Sequence, residues 1–291
     1  MTRRGRTKWP AGSALHPARR RAAPALQVLA LVLAAALPAA RGDEPLTPAR
    51  QHEIVRDALN AYDQAVGVAR EDPARAAQLY RQAAGGFEAL AEGGVRNAAL
   101  EYNLGNTFFR LGDLGRAVLH YRRAERLATG DARIAANLRY ARGRVEPIIS
   151  PSDESRLLRQ VLFWHYQTTP AQRFWVLVGC VSIGWPCLLA WLRWRRGGLA
   201  AAGLIFVALA ALNAASIQWQ LRDEQRHPLA VVVQDRQPLR LGRGEGSDLA
   251  LQQPLGAGVE LRILQRRGEW VEVRLANGQT GWLPAGAVAH L

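Results

Sequence analysis

Cysteine is scarce: the 291 residues contain two, Cys180 and Cys187. Seven positions apart in one helix, their Cα atoms would stand about 10 Å from each other, too far for a disulfide. With no other cysteine, an exported part of the chain folds without an internal disulfide. The six histidines, His16, His52, His120, His165, His227 and His290, are scattered. None has metal-ligand spacing to a cysteine or to another histidine. No carboxylate pair, serine elbow or nucleophilic cysteine stands out. The run Gly242-Arg243-Gly244-Glu245-Gly246 lies between short expected strands and precedes neither a helix nor a lysine-serine pair, so it lacks the context of a phosphate loop. These absences argue against an enzyme, and no cofactor or metal is expected. Acidic residues are also few, 24 against 38 Lys/Arg, for a net charge of +14. Eight of the basic residues fall within positions 1–42, which hold no acid; without them 30 basic residues face 24 acids, a net charge of +6. Three more arginines form one short turn, so the charge does not describe a nucleic-acid surface.

That turn sits between the two longest apolar runs. Residues 174–192 and 197–217 are free of charged side chains. At 1.5 Å per residue each helix would extend about 28 to 32 Å, matching a hydrocarbon core of roughly 30 Å. We expect two antiparallel membrane helices, 172–192 and 197–219, joined by a cytoplasmic turn at 193–196. Arg193, Arg195 and Arg196 put the turn inside, because positive charge in short loops favours the cytoplasmic face. The flanking domains then lie outside the cytoplasm. Trp175, Trp191, Trp194 and Trp219 mark the span ends, with Trp164 just upstream. Pro186 removes one backbone bond of the first helix, and Gly203, Ala208, Ala211, Ala214 and Ala215 offer small faces for packing. A buried hairpin of a soluble protein would need a large covering domain that the rest of the chain does not supply.

The N-terminus reads as an address. A basic region leads into apolar residues 25–37 and then Pro38-Ala39-Ala40-Arg41-Gly42, the order of a secretory signal over 1–42, cleaved or retained as an anchor. Residues 43–146 are alanine-rich with helical period. Leu104, Phe108 and Leu111 recur at helical spacing, Gly112-Asp113 breaks the pattern, and Ala117, Tyr121, Ala124 and Leu127 begin a second helix. A poorer pair lies upstream at 54–70 and 73–90, and residues 131–145 form a closing helix. A linker, 147–171, carries an amphipathic helix over 153–164 with Leu157, Leu158, Val161, Leu162 and Trp164 on its apolar side, suited to a membrane surface or to the helical domain. Thr169-Pro170 starts the first span. Residues 228–291 change to period two, with short strands expected at 229–233, 239–241, 259–264, 270–275 and 280–283. Asn277-Gly278 signals a two-residue hairpin turn with positive φ at both central positions.

The combination Leu104-Gly105, Phe108, Gly112-Asp113, Ala117, Tyr121 and Ala124 resembles a tetratricopeptide repeat. Phe108 stands where that family often has Tyr, and Thr129 where it usually has Pro. The resemblance implies an all-α array whose concave face is made mainly by the first helix of each pair. Matched to the motif, that face contains Tyr102, Asn103, Asn106, Phe109 and Arg110, continued by Arg133 and Asn137. Amides and arginines there suit the backbone or carboxylate of a bound peptide. Without the resemblance, the same residues are polar positions on an ordinary helix.

The run Gly258-Val259, Gly268-Glu269-Trp270-Val271-Glu272-Val273 and Asn277-Gly278-Gln279-Thr280-Gly281-Trp282-Leu283-Pro284 resembles a bacterial SH3-like barrel. Trp270 and Trp282 are its candidate surface anchors, their other reading being core and rim packing. The whole order of signal, helical array, two-span hairpin and small all-β barrel resembles the BatE-type proteins of bacterial aerotolerance (Bat) gene clusters. That resemblance implies a non-enzymatic scaffold in the bacterial inner membrane with both domains periplasmic. Its partners would be von Willebrand A-type membrane proteins and, indirectly, a MoxR-type ATPase, besides membrane lipid. The alternative is a cell-wall tether in which the barrel binds peptidoglycan.

Overall fold

Each helix of the N-terminal array starts at a polar residue that turns its side chain back onto the first free backbone donors. Thr47, Asp72, Asn97, Asp113 and Asp131 accept from the N–H groups of Arg50, Arg75, Leu100, Arg116 and Arg133, satisfying donors that a helix end leaves orphaned. The computed structural model describes residues 46–291 apart from 154–156, 158, 159, 161 and 167. The signal expected at 1–42 lies outside the described residues, as do Leu158 and Val161 of the expected linker helix. In that linker Asp153, Leu157 and Gln160 are helical, and a helical turn spans Phe163–Tyr166.

The array comprises α1 (Pro48–Val68), α2 (Pro73–Glu92), α3 (Ala98–Arg110), α4 (Leu114–Leu127) and α5 (Ala132–Arg142). Consecutive helices pack on one another. Gly94 (φ 86°) and Gly112 (φ 79°) end α2 and α3 in the left-handed conformation. After α3, Gly112 donates to Phe109 and Asp113 to Phe108, the paired bonds that close a helix on glycine. Phe87, Leu90, Leu104, Phe108, Val118 and Leu138 are fully buried. Gly105 permits the closest approach of α3 and α4, since a Cβ there would lie 2.6 Å from the Tyr121 ring. Gly105→Val is therefore expected to cost about 1–3 kcal/mol, measured as a lower thermal midpoint. Glu101 and His120, both buried, bridge the same two helices at 2.7 Å.

Two helices follow, α6 (Pro170–Trp194) and α7 (Gly197–Arg226), packed against each other. Both are long and apolar enough to cross a membrane, and only 11% and 22% of their apolar stretches are buried by the rest of the protein. Their outward faces thus have no protein cover, as lipid contact requires. Thr169 and Gln172 form a reciprocal cap at the start of α6, and Arg195 (φ 53°) makes the turn. The helices meet where a Cβ on Gly184 or Gly203 would lie 2.9 or 2.6 Å from Phe206 or Leu188. Of the small residues anticipated at this seam only Gly203 is buried; Ala208, Ala211, Ala214 and Ala215 are exposed, and Ala210, Asn213 and Ser216 take the inner positions. Small residues occur all round α7, and the geometry of one crossing selects a single stripe of them. Helix α7 also continues past the apolar run through Arg222-Asp223-Glu224 to Arg226. At the same end, buried Arg173 donates to Ser216 Oγ (2.5 Å), to His165 Nδ1 (3.1 Å) and to Gln220.

The C-terminal part is a five-stranded antiparallel sheet, β1 (Leu229–Val232), β2 (Glu260–Arg267), β3 (Trp270–Leu275), β4 (Thr280–Pro284) and β5 (Val288–His290), ordered β4-β3-β2-β1-β5. Residues 239–241, expected as a strand, make only isolated bridges, Arg240 with Leu249 and with Trp282, while β5 was not anticipated. Between β3 and β4 the turn has positive φ at Gly278 alone (87°). Gly278 N–H donates to Leu275 O and Leu275 N–H to Gln279 O. This is the three-residue loop with a left-handed glycine, stabilised by Asn277 Oδ1 accepting from Gln279 N–H at 3.0 Å, rather than the expected two-residue turn.

The sheet is seated on the array. Helix α4 packs on β1, and residues of both parts share one buried core. A Cβ on Gly115 would lie 2.7 Å from Val233 Cα and 2.9 Å from Val232 O, and one on Gly258 would lie 2.6 Å from Val145. Around this apolar contact Glu260 accepts from Arg122 and Arg142, each as close as 2.5 Å, Arg123 donates to His290 O at 2.8 Å, and Gly256 N–H to Glu146 O at 2.9 Å. The two parts, expected as separate domains at 43–146 and 228–291, thus share one core.

Candidate functional site: a tyrosine-lined cavity on the array

Positions 102, 106, 109 and 110 recur at the spacing that brings residues to one side of a helix, and on α3 they form one wall of a cavity of about 430 Å³. Asn137 and Tyr140 of α5, Tyr62 of α1 and Tyr121 of α4 complete the lining. Tyr121 O–H donates to Asn106 Oδ1 at 2.8 Å, and Asn137 Nδ2 donates to the same oxygen at 2.9 Å and to Tyr102 Oη at 3.0 Å. The doubly accepting oxygen fixes the Asn106 amide. Its Nδ2 has no acceptor among the described residues. The rings are mutually tilted: Tyr102 and Tyr121 at 6.1 Å between centroids, Phe109 and Tyr140 at 5.4 Å. Behind them Tyr62 meets Tyr80 edge-on at 5.4 Å.

No carboxylate lines the cavity, and Arg110 makes no ion pair among the described residues. Burial pushes the Tyr62 hydroxyl's pKa up, with the neighbouring Arg110 guanidinium pulling partly the other way. Tyr121 is likewise pushed up, first by burial and then by Tyr102 and Tyr62. Both stay neutral and able to donate at physiological pH, whereas Tyr62 keeps Arg110 firmly charged. The lining thus offers aromatic faces, amides, hydroxyls and one cation.

Of the seven residues anticipated for the concave face, Tyr102, Asn106, Phe109, Arg110 and Asn137 line this cavity. Asn103 and Arg133 do not. Asn103 follows Tyr102 by about 100° of helical rotation, is half-buried, and its carbonyl accepts from Thr107 Oγ1 at 2.7 Å. Arg133 is exposed and folds back on Asp131, 2.9 Å away. Three lining residues were missed. Tyr121, a periodic position of the second helix of the pair, packs its ring against Gly105 between the helices while its hydroxyl reaches the cavity. Tyr140 follows Asn137 by three positions, the same-face spacing that identifies it; Tyr62 lies in a helix whose sequence carries no comparable marker.

Trp270 and Trp282 stand on adjacent strands, Glu272 pairing with Trp282 and Trp270 with Pro284. Val271, Val273, Leu275, Gly281 and Leu283 take the buried positions, so both indoles lie on the opposite face, half-buried, with the Arg243 guanidinium 5.7 Å from the Trp282 ring centre. Among the described residues no group of three or more His, Cys, Asp or Glu side chains is gathered as a metal site would require.

No protein-family model matches the chain, and no curated protein matches it either.

Proposed function

We propose that the protein is a membrane-anchored scaffold of the BatE type, with a tetratricopeptide-like array and an SH3-like barrel carried outside the cytoplasm by a two-span hairpin. The array recognises an extended segment of a partner protein within a Bat/MoxR-type membrane complex. The observation that carries this reading is the cavity formed by Tyr102, Asn106, Phe109, Arg110 and Asn137 on one side of the array. Contact between the array and the C-terminal sheet supports the topology, because chain preceding and following the two apolar helices can meet only on the same side of a bilayer. The arginine turn then faces the cytoplasm.

Crosslinking the intact protein in its membranes and recovering what it holds tests the proposal. Wild type is expected to retain a membrane protein that the Asn106→Ala/Asn137→Ala variant loses by roughly thirtyfold, the loss of two hydrogen-bonding groups at about 1 kcal/mol each. Unchanged recovery by the variant would remove the cavity from the account. Recovery of wall fragments instead of protein would transfer binding to the sheet and favour a peptidoglycan tether.

A further inference from the structure

We propose that the outward face of α6 pairs, inside the bilayer and around Ser182, with the same face of a second copy of this chain. The inference rests on the two-span hairpin of the proposed function and is independent of the cavity. Position argues first. Trp175, Gly179, Ser182, Pro186 and Leu189 follow one another in steps of four and three, the spacing of a single stripe along a helix that packs on a parallel partner. All five are exposed. The stripe lies opposite Arg173, Cys180 and Gly184, the buried positions of α6, because two residues turn a helix through about 200°. A Cβ on Gly179 would meet nothing within 4 Å, so this glycine, unlike Gly184, makes no room for α7. Glycine weakens a helix, and a bare position that its own molecule does not use suits a neighbour from outside.

Unmet hydrogen bonding argues next. Ser182 is the middle residue of the 25-residue α6, at the depth where a bilayer holds no water. Pro186 has no N–H, so the Ser182 carbonyl, four residues before it, lacks its helical donor. On the inner side of the hairpin the polar groups are bonded, Ser216 Oγ accepting from Arg173 and Asn213 Nδ2 donating to Leu209 O. The Ser182 hydroxyl bonds nothing among the described residues. Lipid tails offer neither a donor nor an acceptor, and a polar group left unpaired among them is costly. Copies of one chain insert in one orientation, so two α6 helices run parallel and the stripe meets its own image across a two-fold axis. Each Ser182 hydroxyl then donates to the Ser182 carbonyl of the other copy, and Gly179 lets the two backbones approach closely enough. A helix of another protein would have to carry its own donor to this depth; a second copy brings one by symmetry.

The test uses the full chain in its membranes, in a Cys180→Ala/Cys187→Ala background with one cysteine restored at a time and oxidised with copper-phenanthroline. A disulfide needs Cα atoms within about 7 Å, so Ser182→Cys and Leu189→Cys report on the stripe, and Leu209→Cys reports on an exposed position of α7 at similar depth. Disulfide-linked dimer is expected to be at least about fivefold more abundant at 182 and 189 than at 209. Adding Gly179→Leu to Leu189→Cys, where Ser182 is intact, is expected to lower the dimer by at least about fivefold, the effect of a lost close-packed and hydrogen-bonded helix contact in a membrane. Equal crosslinking at 182 and 209, or a yield indifferent to Gly179→Leu, would overturn the pairing and leave the hairpin in place. An adduct of any mass other than twice the chain would give the stripe to a different membrane protein and overturn it too. Release of the protein from the membrane by alkaline carbonate would remove the two-span reading, and this proposal with it.

Discussion

Valine in place of Gly115 is expected to detach the C-terminal sheet from the helical array. The atoms a side chain would meet are backbone, Val233 Cα at 2.7 Å and Val232 O at 2.9 Å, and backbone held in β1 and its extension cannot step aside as a side-chain tip can. Overpacking a buried contact costs about 1–3 kcal/mol when neighbours yield; here the available response is separation. Gly115 lies in the first turn of α4, where valine is tolerated by the helix itself, so the array is expected to remain folded. Denaturation followed by circular dichroism is expected to show two transitions where wild type shows one, and limited proteolysis to cut near Glu146, whose carbonyl is bonded to Gly256 only while the parts are joined. A single wild-type-like transition with no new cleavage would show that the two parts do not depend on this contact.

Removing the Glu260 carboxylate attacks the same seam electrostatically. Glu260 is largely enclosed, at 18% side-chain exposure, between Arg122 and Arg142. Taking one member from a buried ionic group leaves the others desolvated without compensation, at a cost of 3–5 kcal/mol for full burial; about 3 kcal/mol is expected for Glu260→Ala, as a lowered denaturation midpoint. Burial works to raise the Glu260 pKa, but the bonds and charges of Arg142 and Arg122 outweigh it and hold the carboxyl below its ordinary value. A carboxylate depressed in the joined state contributes fully above the unfolded pKa, about 4.3, and its contribution disappears as pH falls through the lower folded value. Stability is therefore expected to hold from neutrality to about pH 5 and to fall below about pH 4, with a weaker acid dependence in Glu260→Gln. An identical acid profile in that variant would assign the effect to other carboxylates.

What was legible in the sequence was whatever local period or charge dictates. Charge-free runs of membrane length announced α6 and α7, and alternation announced β3. The spacing of Tyr102, Asn106, Phe109 and Arg110 marked one face of α3 because a helix has a fixed period. Choices made by tertiary contact were not legible: which of many small residues line the crossing of α6 and α7, or that residues 239–241 would bridge rather than form a strand. The turn at Asn277-Gly278 illustrates the limit, since the pair serves two hairpin geometries and the flanking Ala276 is taken into the longer one. The seam between array and sheet was hidden for a plainer reason. Gly115 and Gly258 look like ordinary turn or small residues, and Glu260 finds Arg122 across 138 positions of chain.

The interposition of α6 and α7 between the two halves of that seam also orders events in time. A chain is made from its N-terminus, so α4 and Val145 emerge before the strand that covers them, and both apolar helices emerge in between. Until β1 arrives, the patch around Gly115, Val118 and Val145 has no cover. With the topology proposed above, covering of the array waits on delivery of the last segment to the same side of the membrane, and a molecule whose hairpin stalls keeps a bare hydrophobic patch.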